Sequence, residues 1–210
     1  MKVNEIFLSI QGEGINTGNP CIFVRFYGCN FNCKWCDTKY AIMGNNYREM
    51  GVEEIKNEIL KYDPYNYVCI TGGEPLLQLS GVVDLVDKSP DFFFEINTNG
   101  SLPIFRHPRV RWVVDWKCPS SGMKKFNYSN LRRLTEDDEM MFVIRNKTDY
   151  EFAKDKLPLI EELSDVKINF SPVWGAMAKE KLISWILRDK LNVRFNLQLH
   201  KVVWGKRRGV

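Results

Sequence analysis

The stretch GCNFNCKWCDT, Gly28 to Thr38, holds three cysteines: Cys29, Cys33 and Cys36. Thiolates suit zinc and iron–sulfur centres. A structural zinc site closes with four protein ligands, commonly as paired C-x-x-C clips. Here the spacing is x3 then x2, and Cys21, Cys69 and Cys118 stand singly and make no second clip. The two histidines, His107 and His200, are each alone and far off in sequence. A closed zinc site therefore fits poorly. An iron–sulfur cluster is usually held by four thiolates. With three, one iron stays open to a non-protein ligand and can activate a substrate or cofactor directly.

TGGEP (71–75) could serve the same chemistry. Gly72 and Gly73 let the backbone approach a ligand without a side chain intervening. Alone, the same residues are an ordinary strand-to-helix turn. Other polar stretches are NTNG (97–100), DWKCPSSG (115–122) and SPVW (171–174), with His200 beyond them.

Each of these follows an apolar, β-rich run. The runs are CIFVRFY (21–27), YVCIT (67–71), FFFEIN (92–97), VRWVVDW (110–116), MMFVI (140–144), KINF (167–170) and VRFNLQL (193–199). Several are nearly continuous in hydrophobicity, as strands covered on both faces are. Helical patterns alternate with them. VEEIKNEILKY (52–62) sets Val52, Ile55, Ile59 and Leu60 on one face. PLLQLSGVVDLVDK (75–88) has Pro75 in its first turn. NYSNLRRL (127–134), DYEFAKDKL (149–157) and AKEKLISWILRDKL (178–191) follow, and Pro158 should end the fourth of the five.

Strands alternating with helices predict parallel βα units. The 210 residues are short for a full eightfold barrel, which takes about 250. The expected fold is one α/β domain over residues 1–210, a reduced (partial) parallel βα barrel. Chemistry in such folds gathers at the C-terminal ends of the strands, where these motifs fall.

Composition narrows the classes. Hydrophobic residues at 44% and charged residues at 27% are ordinary for a globular chain. No run approaches the roughly 18 apolar residues of a membrane helix, and MKVNEIFLSIQGEG has no secretory core. The expected location is cytoplasmic, with no membrane partner. In a reducing compartment a tight cysteine cluster reads as metal-binding or catalytic; the three single cysteines read as structural thiols. A net charge of +4 does not make a nucleic-acid binder, and KRR at 206–208 reads as a solvated terminus. No nucleic-acid partner is expected.

The C-x3-C-x2-C spacing of Cys29, Cys33 and Cys36 resembles the signature of the radical S-adenosylmethionine (SAM) enzymes, and TGGEP resembles their glycine-rich motif. The resemblance implies a [4Fe-4S] cluster whose open iron chelates the amino and carboxylate groups of SAM, and cleavage of the sulfonium to a 5′-deoxyadenosyl radical. SIQGEG (9–14), CIFVRFYGCNFNCKWCDT (21–38), ITGGEP (70–75), WKCPSSG (116–122) and QLHKVVWGKRRGV (198–210) go further. Together they resemble the 7-carboxy-7-deazaguanine synthase family from Asn4 to Val210. That implies a lyase that contracts the ring of 6-carboxy-5,6,7,8-tetrahydropterin and releases ammonia, on the way to queuosine and other 7-deazapurines. SAM would be regenerated as a cofactor and Mg²⁺ would assist. The implied partners are the pterin, an electron donor such as flavodoxin or ferredoxin, and a second copy of the chain in a homodimer. A reduced barrel with exposed edges is compatible with the last.

The resemblance also implies roles by position. Ile10, Gln11 and Gly12 match a substrate-contacting loop, and Gln11, Gly12 and Glu13 offer polar groups to the edge of a pterin. Thr71 matches a substrate position and Gly73 a SAM position. Arg25 alternates with Phe23 and Tyr27 on one strand face. An arginine fork beside aromatic rings suits a flat ring bearing a carboxylate; on spacing alone a surface or interface salt bridge is its equal, and the resemblance favours substrate. Thr38 matches an Mg²⁺ ligand, an ion that uses few protein oxygens, or is a helix cap. Trp35, Cys36 and Asp37 fall where the family contacts SAM. Asp115, Trp116 and Lys117 align with a SAM-contacting Ser-Pro-Lys, of which only Lys117 matches. Ser171, Pro172, Val173 and Trp174 match a looser SAM segment. His200 matches a substrate histidine, and the carboxylate of Val210 is expected to fold back to substrate. Many relatives read E-T-N-G or E-T-S-G after the third strand. Here EINTNG puts Asn97 where the acid would be, with Glu95 two residues earlier on the same face. Either could serve the SAM amino group or the substrate. Arg25, Glu95 and His200 are the expected catalytic residues.

Two rival readings use the same cysteines. A radical SAM activase that installs a glycyl radical on a partner protein leaves SIQGEG and the C-terminal motif without a place. A non-catalytic zinc or iron–sulfur protein requires a fourth ligand and no SAM.

Overall fold

The chain opens with a strand, β1 (Lys2–Ile10), outside the apolar runs that mark the other strands. Most of its residues are half-buried, and its apolar run is only Ile6, Phe7 and Leu8. It pairs antiparallel with β2 (Pro20–Phe26), Phe7 opposite Phe23. A two-residue strand, β3 (Arg48–Glu49), caps its outer edge. The computed structural model describes residues 1–205 and 207–210. Lys206, which begins the KRR run, lies outside the described residues.

From β2 onward the sheet is parallel. After α1 (Val52–Leu60) come β4 (Tyr67–Gly72), α2 (Leu79–Asp87), β5 (Phe93–Thr98), β6 (Val110–Asp115), β7 (Glu139–Ile144), α3 (Lys147–Leu163), β8 (Lys167–Pro172), α4 (Lys179–Arg188), β9 (Arg194–Phe195) and α5 (Leu199–Trp204). The sheet order is β3-β1-β2-β4-β5-β6-β7-β8-β9. This is the partial βα barrel, with one antiparallel hairpin added at its start. No helix among the described residues is long and apolar enough to cross a membrane.

The two faces of the sheet differ, because strand side chains alternate. Ile22, Val24, Val68, Ile70, Phe94, Ile96, Trp112, Val114, Met140, Phe142, Ile168 and Phe170 point to the helices and form the hydrophobic core. The intervening positions carry Arg25, Glu95, Asn97, Asp115, Glu139 and Asn169. Phe23, Cys69, Val113 and Met141 share that face, so it is mixed where the helix-facing side is wholly apolar.

Four element expectations also change. Residues 127–134 form a 3-10 helix, Tyr128–Arg133, started by Asn127, whose side chain accepts from the Ser129 N–H. In α1, Ile55 and Ile59 are buried while Leu60, a further 100° round the helix, is exposed. The run 193–199 is a strand only over Arg194–Phe195. The chain then leaves the sheet because the 11–14 loop captures it: the Leu199 N–H donates to Gly12 O at 2.8 Å and Gln198 Nε2 to Glu13 Oε1 at 2.6 Å. His200 accordingly sits on a helix rather than at a strand end. Finally, Pro158 does not end its helix; it lies inside α3, which continues to Leu163. Leu157 and Ile160 are buried in the core on either side of it and hold both halves against the sheet.

Pro158 is exposed, so its ring fills nothing, while it removes one helix hydrogen bond and crowds the preceding turn. Pro158→Ala is expected to raise stability by about 1–2 kcal/mol, the gain being reduced by the extra freedom of the unfolded chain. Urea unfolding followed by circular dichroism checks this; a lower midpoint would mean that the proline bends α3 into place.

Candidate active site

The cysteine loop is pinned by the end of β4. The Gly73 N–H donates to Phe26 O at 3.0 Å and the Glu74 N–H to Gly28 O at 2.8 Å. Any larger residue would break this approach: a Cβ on Gly73 would lie 1.9 Å from Gly28 O, and one on Gly72, at φ +132°, 2.1 Å from Phe26 O. The glycines serve backbone-to-backbone packing as well as access to a ligand. Glu74 ties the next strand in, accepting from Thr98 Oγ1 at 2.8 Å and the Asn99 N–H at 2.7 Å. Asn99 reaches Asn30 Oδ1 at 2.8 Å, and Asn30 reaches Ser101 Oγ at 2.8 Å. Glu74 and Asn99 have no distinguishing spacing of their own; they lie within the TGGEP and NTNG motifs.

Cys29, Cys33 and Cys36 all line one cavity of about 680 Å³ at the C-terminal ends of the strands. Cys29 and Cys33 stand close enough to the other thiols to feel their charges. Burial pushes both up, Cys33 to about 11. The Phe31 N–H and the Asn99 side-chain amide face Cys29 Sγ at 3.4 and 3.8 Å. Thr38 stands at the start of a short 3-10 turn, but its hydroxyl makes no cap bond; it lies 3.5 Å from Cys36 Sγ and lines the cavity.

The opposite wall is the loop between β1 and β2, folded into the barrel interior. Gln11 is its hinge. Its Oε1 accepts from the N–H groups of Gly12 (2.8 Å) and Glu13 (3.3 Å), and its Nε2 donates to Glu95 Oε1 at 2.5 Å. Glu95 also accepts from Asn16 Nδ2 at 3.1 Å, Tyr67 OH, and Cys69 Sγ at 3.8 Å. Both carboxylate oxygens are thus taken by protein donors, so in this structure Glu95 supports the loop from below. Burial pushes Glu95 up to about 7, against the pull of these donors. Glu95 itself lines the cavity, together with Ile10, Gln11, Gly12 and Glu13.

Arg25 is held in an ion pair and also faces the cavity. Its Nε donates to Glu5 Oε1 at 2.7 Å, which also accepts from Tyr40 OH at 2.8 Å. Among the described residues its two terminal nitrogens have no hydrogen-bond partner, and the guanidinium lines the cavity. His200 packs on Gly12, where a Cβ would stand 2.1 Å from its Nδ1. Burial, with Lys201 beside it, lowers His200 to about 4, so it is neutral near pH 7. Lys201 reaches Asp37 Oδ2 at 2.6 Å and, against the effect of burial, holds Asp37 below the usual carboxylate range. Arg207 to Val210 line the cavity too, and Arg208 lies 3.9 Å over the Tyr40 ring. The ending is therefore not the free solvated terminus that composition suggests.

Trp35, Thr71, Gly73, Asn97, Asp115, Lys117, Val173 and Trp174 also line the cavity. Three expected residues do not. Trp116 turns outward and stacks on Phe126 at 3.9 Å, and Ser171 is buried beside Asn196 Nδ2 at 3.4 Å. Pro172 is likewise buried at the end of β8. A side chain one step along a strand faces the other way, so only alternate members of such tripeptides can offer side chains.

The donor set fits an iron–sulfur cluster. Three soft ligands open into a cavity with N–H groups beside one of the sulfurs. The cavity fits a donor-rich cofactor as well. Asn97 Oδ1 and Asp115 Oδ1 are buried acceptors without a partner, and both residues line it. Buried polar atoms are rarely left unpaired. Lys117 pairs with the other oxygen of Asp115.

Known proteins match this arrangement. The radical SAM superfamily model matches residues 23–109. A 7-carboxy-7-deazaguanine synthase from Koribacter versatilis is 40% identical over 97% of both chains. One from Chlorobaculum tepidum is 40% identical over 98% of this chain and 94% of its own. The crystal structure of QueE from Escherichia coli superposes with a TM-score of 0.79 at 25% identity, covering 95% of this chain and 94% of that one.

Glu95 makes a testable mark on stability. A carboxyl that binds its proton more tightly folded than unfolded stabilises the fold in acid. That contribution is complete below the ordinary value of 4.5 and is lost as pH rises to about 7. Glu95→Gln is expected to flatten the fall of unfolding free energy across that window. Urea titrations at several pH values measure it, and identical slopes in both proteins would show that Glu95 does not titrate there.

Proposed function

This chain belongs to the 7-carboxy-7-deazaguanine synthase family, and from that premise we propose how its residues carry out the family reaction, the conversion of 6-carboxy-5,6,7,8-tetrahydropterin to 7-carboxy-7-deazaguanine with loss of ammonia. One observation carries the reading. Cys29, Cys33 and Cys36 open into the same cavity as Arg25, the Gln11–Glu13 loop and His200.

Cys29, Cys33 and Cys36 would hold the [4Fe-4S] cluster, and SAM would lie against Gly73, Trp35 and the paired acceptors Asn97 and Asp115. When bound, the cluster and SAM supply the radical that takes hydrogen from C6 of the pterin and later returns it. The protein's part is orientation. Arg25, with Nε held by Glu5, offers its free fork to the pterin carboxylate, and two parallel hydrogen bonds set both position and angle. Gly12, Glu13 and Thr71 face the hydrogen-bonding edge of the ring. Burial raises Glu13 above its ordinary value, against the hydrogen bond from Gln198. A neutral His200 can give or take one hydrogen bond without placing a charge beside the substrate. Glu95 acts through Gln11 as a positioning residue, a change from the direct catalytic part its strand position suggested. Thr38 would bind Mg²⁺ together with substrate oxygens and water, since this ion needs few protein ligands. Val210 would bring its carboxylate to the substrate.

An electron donor such as flavodoxin or ferredoxin belongs to this reading, as does a homodimer. The exposed-edge argument for the dimer weakens: the edge strands β3 and β9 are two residues each, and loop 11–19 bonds to β9 through Arg194 and Gly14. The dimer then rests on the family resemblance, and sedimentation of the purified protein reads it directly.

Anaerobic reconstitution with iron and sulfide, then SAM, dithionite and 6-carboxytetrahydropterin, should yield 7-carboxy-7-deazaguanine by mass spectrometry with SAM undiminished. No product from protein that holds its cluster and cleaves SAM would sink the reading. Thr38→Ala should abolish the stimulation of the rate by Mg²⁺ and leave the visible spectrum of the cluster unchanged. A lost cluster would instead make Thr38 a support of the cysteine loop.

A further inference from the structure

Four cations gather on the outer side of the cysteine loop, away from the cavity. Lys34 stands between Cys33 and Cys36 and is exposed. Its N–H donates to Ser121 O at 3.1 Å, and its stem lies beside Gly122, where a Cβ would meet Lys34 Cε at 3.6 Å. Lys124 and Lys125 follow within three residues, both exposed. Arg145 arrives from the other side. Its N–H and that of Ser120 donate to the same carboxylate, Asp149, each at 2.9 Å. The Cys33 loop is thus joined to the 119–125 turn by a backbone hydrogen bond, and that turn to the start of α3 through the Asp149 carboxylate.

These charges are free. Among the described residues none of the four has a carboxylate within 4.0 Å, whereas Lys147 beside them is paired with Glu151. Asp149 is fully buried, so it offers the surface no negative charge. The sequence from 116 to 135 holds Lys117, Lys124, Lys125, Arg132 and Arg133 and no acid. Unpaired cations on one small surface attract a partner of opposite sign and orient it on approach.

We propose that this surface docks a small acidic protein that carries single electrons, and that the electron enters across the Cys33–Cys36 segment. The inference rests on the reading of the three cysteines as cluster ligands. The step balances simply: the reduced carrier loses one electron, the cluster gains one, and no bond or proton moves. Lys34 is bonded in sequence to Cys33, so a carrier seated on it is separated from the cluster by little more than the loop. The cavity side is lined by the cofactor and substrate residues and by Arg207 to Val210.

The test compares the native sequence with the triple variant Lys34→Glu, Lys124→Glu, Lys125→Glu, both carrying reconstituted cluster. Stopped-flow absorbance follows reduction of the cluster by a reduced acidic flavodoxin, and separately by dithionite. At an ionic strength of ~0.05 M the variant's second-order rate with flavodoxin should fall about tenfold or more, and the gap should close near ~0.5 M, where charges are screened. Dithionite reduction and dithionite-driven product formation should be unchanged. A triple Lys→Gln variant should fall in between. Equal flavodoxin rates in native and variant protein would overturn the proposal. So would an equal loss with dithionite, which would place these lysines in the cluster site itself. If the native protein reduces its cluster with dithionite but makes no product, the ring-contraction reading fails while the docking result still stands or falls on the reduction rates.

Discussion

Two carboxylates inside the barrel set the terms for everything above them. Glu95 and Glu139 stand on strands with their helix-facing neighbours in oil and are themselves almost fully buried. The Glu139 carboxylate raises the cost of charging Glu95. A buried carboxylate is tolerated only when donors surround it. The loop between β1 and β2 supplies them: the Ile15 N–H reaches Glu139 Oε1 at 2.7 Å, and Gln11 and Asn16 reach Glu95. Asn196 holds the Gly14 N–H at 2.8 Å, and Asn169 completes Glu139 at 2.6 Å. The loop is in effect a polar plug. Its lower half satisfies the acids, and its upper half, Gly12 and Glu13, becomes the floor of the cavity. Demand for hydrogen bonds in the interior therefore fixes the surface on which substrate is read.

The opposite wall is positioned by close backbone packing rather than by charge. The ends of β2 and β4 touch through glycine, and Glu74 then extends the contact to Thr98 and Asn99. The cysteine loop is carried on that junction. Burial raises Cys29 and Cys33 when bare, whereas a bound metal centre favours the thiolate outright. The loop is shaped for a charge that the side chains do not themselves provide.

How much of this could be read from sequence follows from what alternation and spacing encode. The C-x3-C-x2-C loop, TGGEP and the βα order lie in consecutive residues, and the structure places them as expected. The antiparallel β1 was illegible because its apolar run, Ile6 to Leu8, is short and neither alternates nor follows helical spacing. Alternation put Glu95 and Asn97 on the same face, correctly, but it carries no depth. Glu95 sits beside Tyr67 and Cys69 near the start of β4, while Asn97 keeps an open acceptor in the cavity. Trp116 and Ser171 were expected in the cavity by resemblance; alternation itself turns Trp116 away from Asp115, and Ser171 is buried beside Asn196. The Pro158 rule failed because core packing on both sides outweighed one lost hydrogen bond. His200 was found by resemblance and misplaced by pattern, since the loop that pulls 198–200 off the sheet is nearly the whole chain away in sequence.

The cavity's remaining side is closed by the C-terminal segment, and its chemistry differs from that of the other two walls. Lys201 pairs with Asp37, whose side chain is 49% exposed, and Arg208 lies over Tyr40 from an exposed position. Partly exposed ion pairs and cation–ring contacts contribute little each, whereas the plug below is a network of buried hydrogen bonds. Local opening follows the weakest contacts in a fold, so the C-terminal segment is the wall that yields first. That ordering suits the reaction. A site that must take in a cofactor and a flat pterin, then exclude water from a reactive radical, needs a rigid floor, a fixed metal loop and one wall that can part. Arg25 shows how they meet: its Nε is bound to Glu5 beside Tyr40, under Arg208, while its free fork faces inward to the cavity.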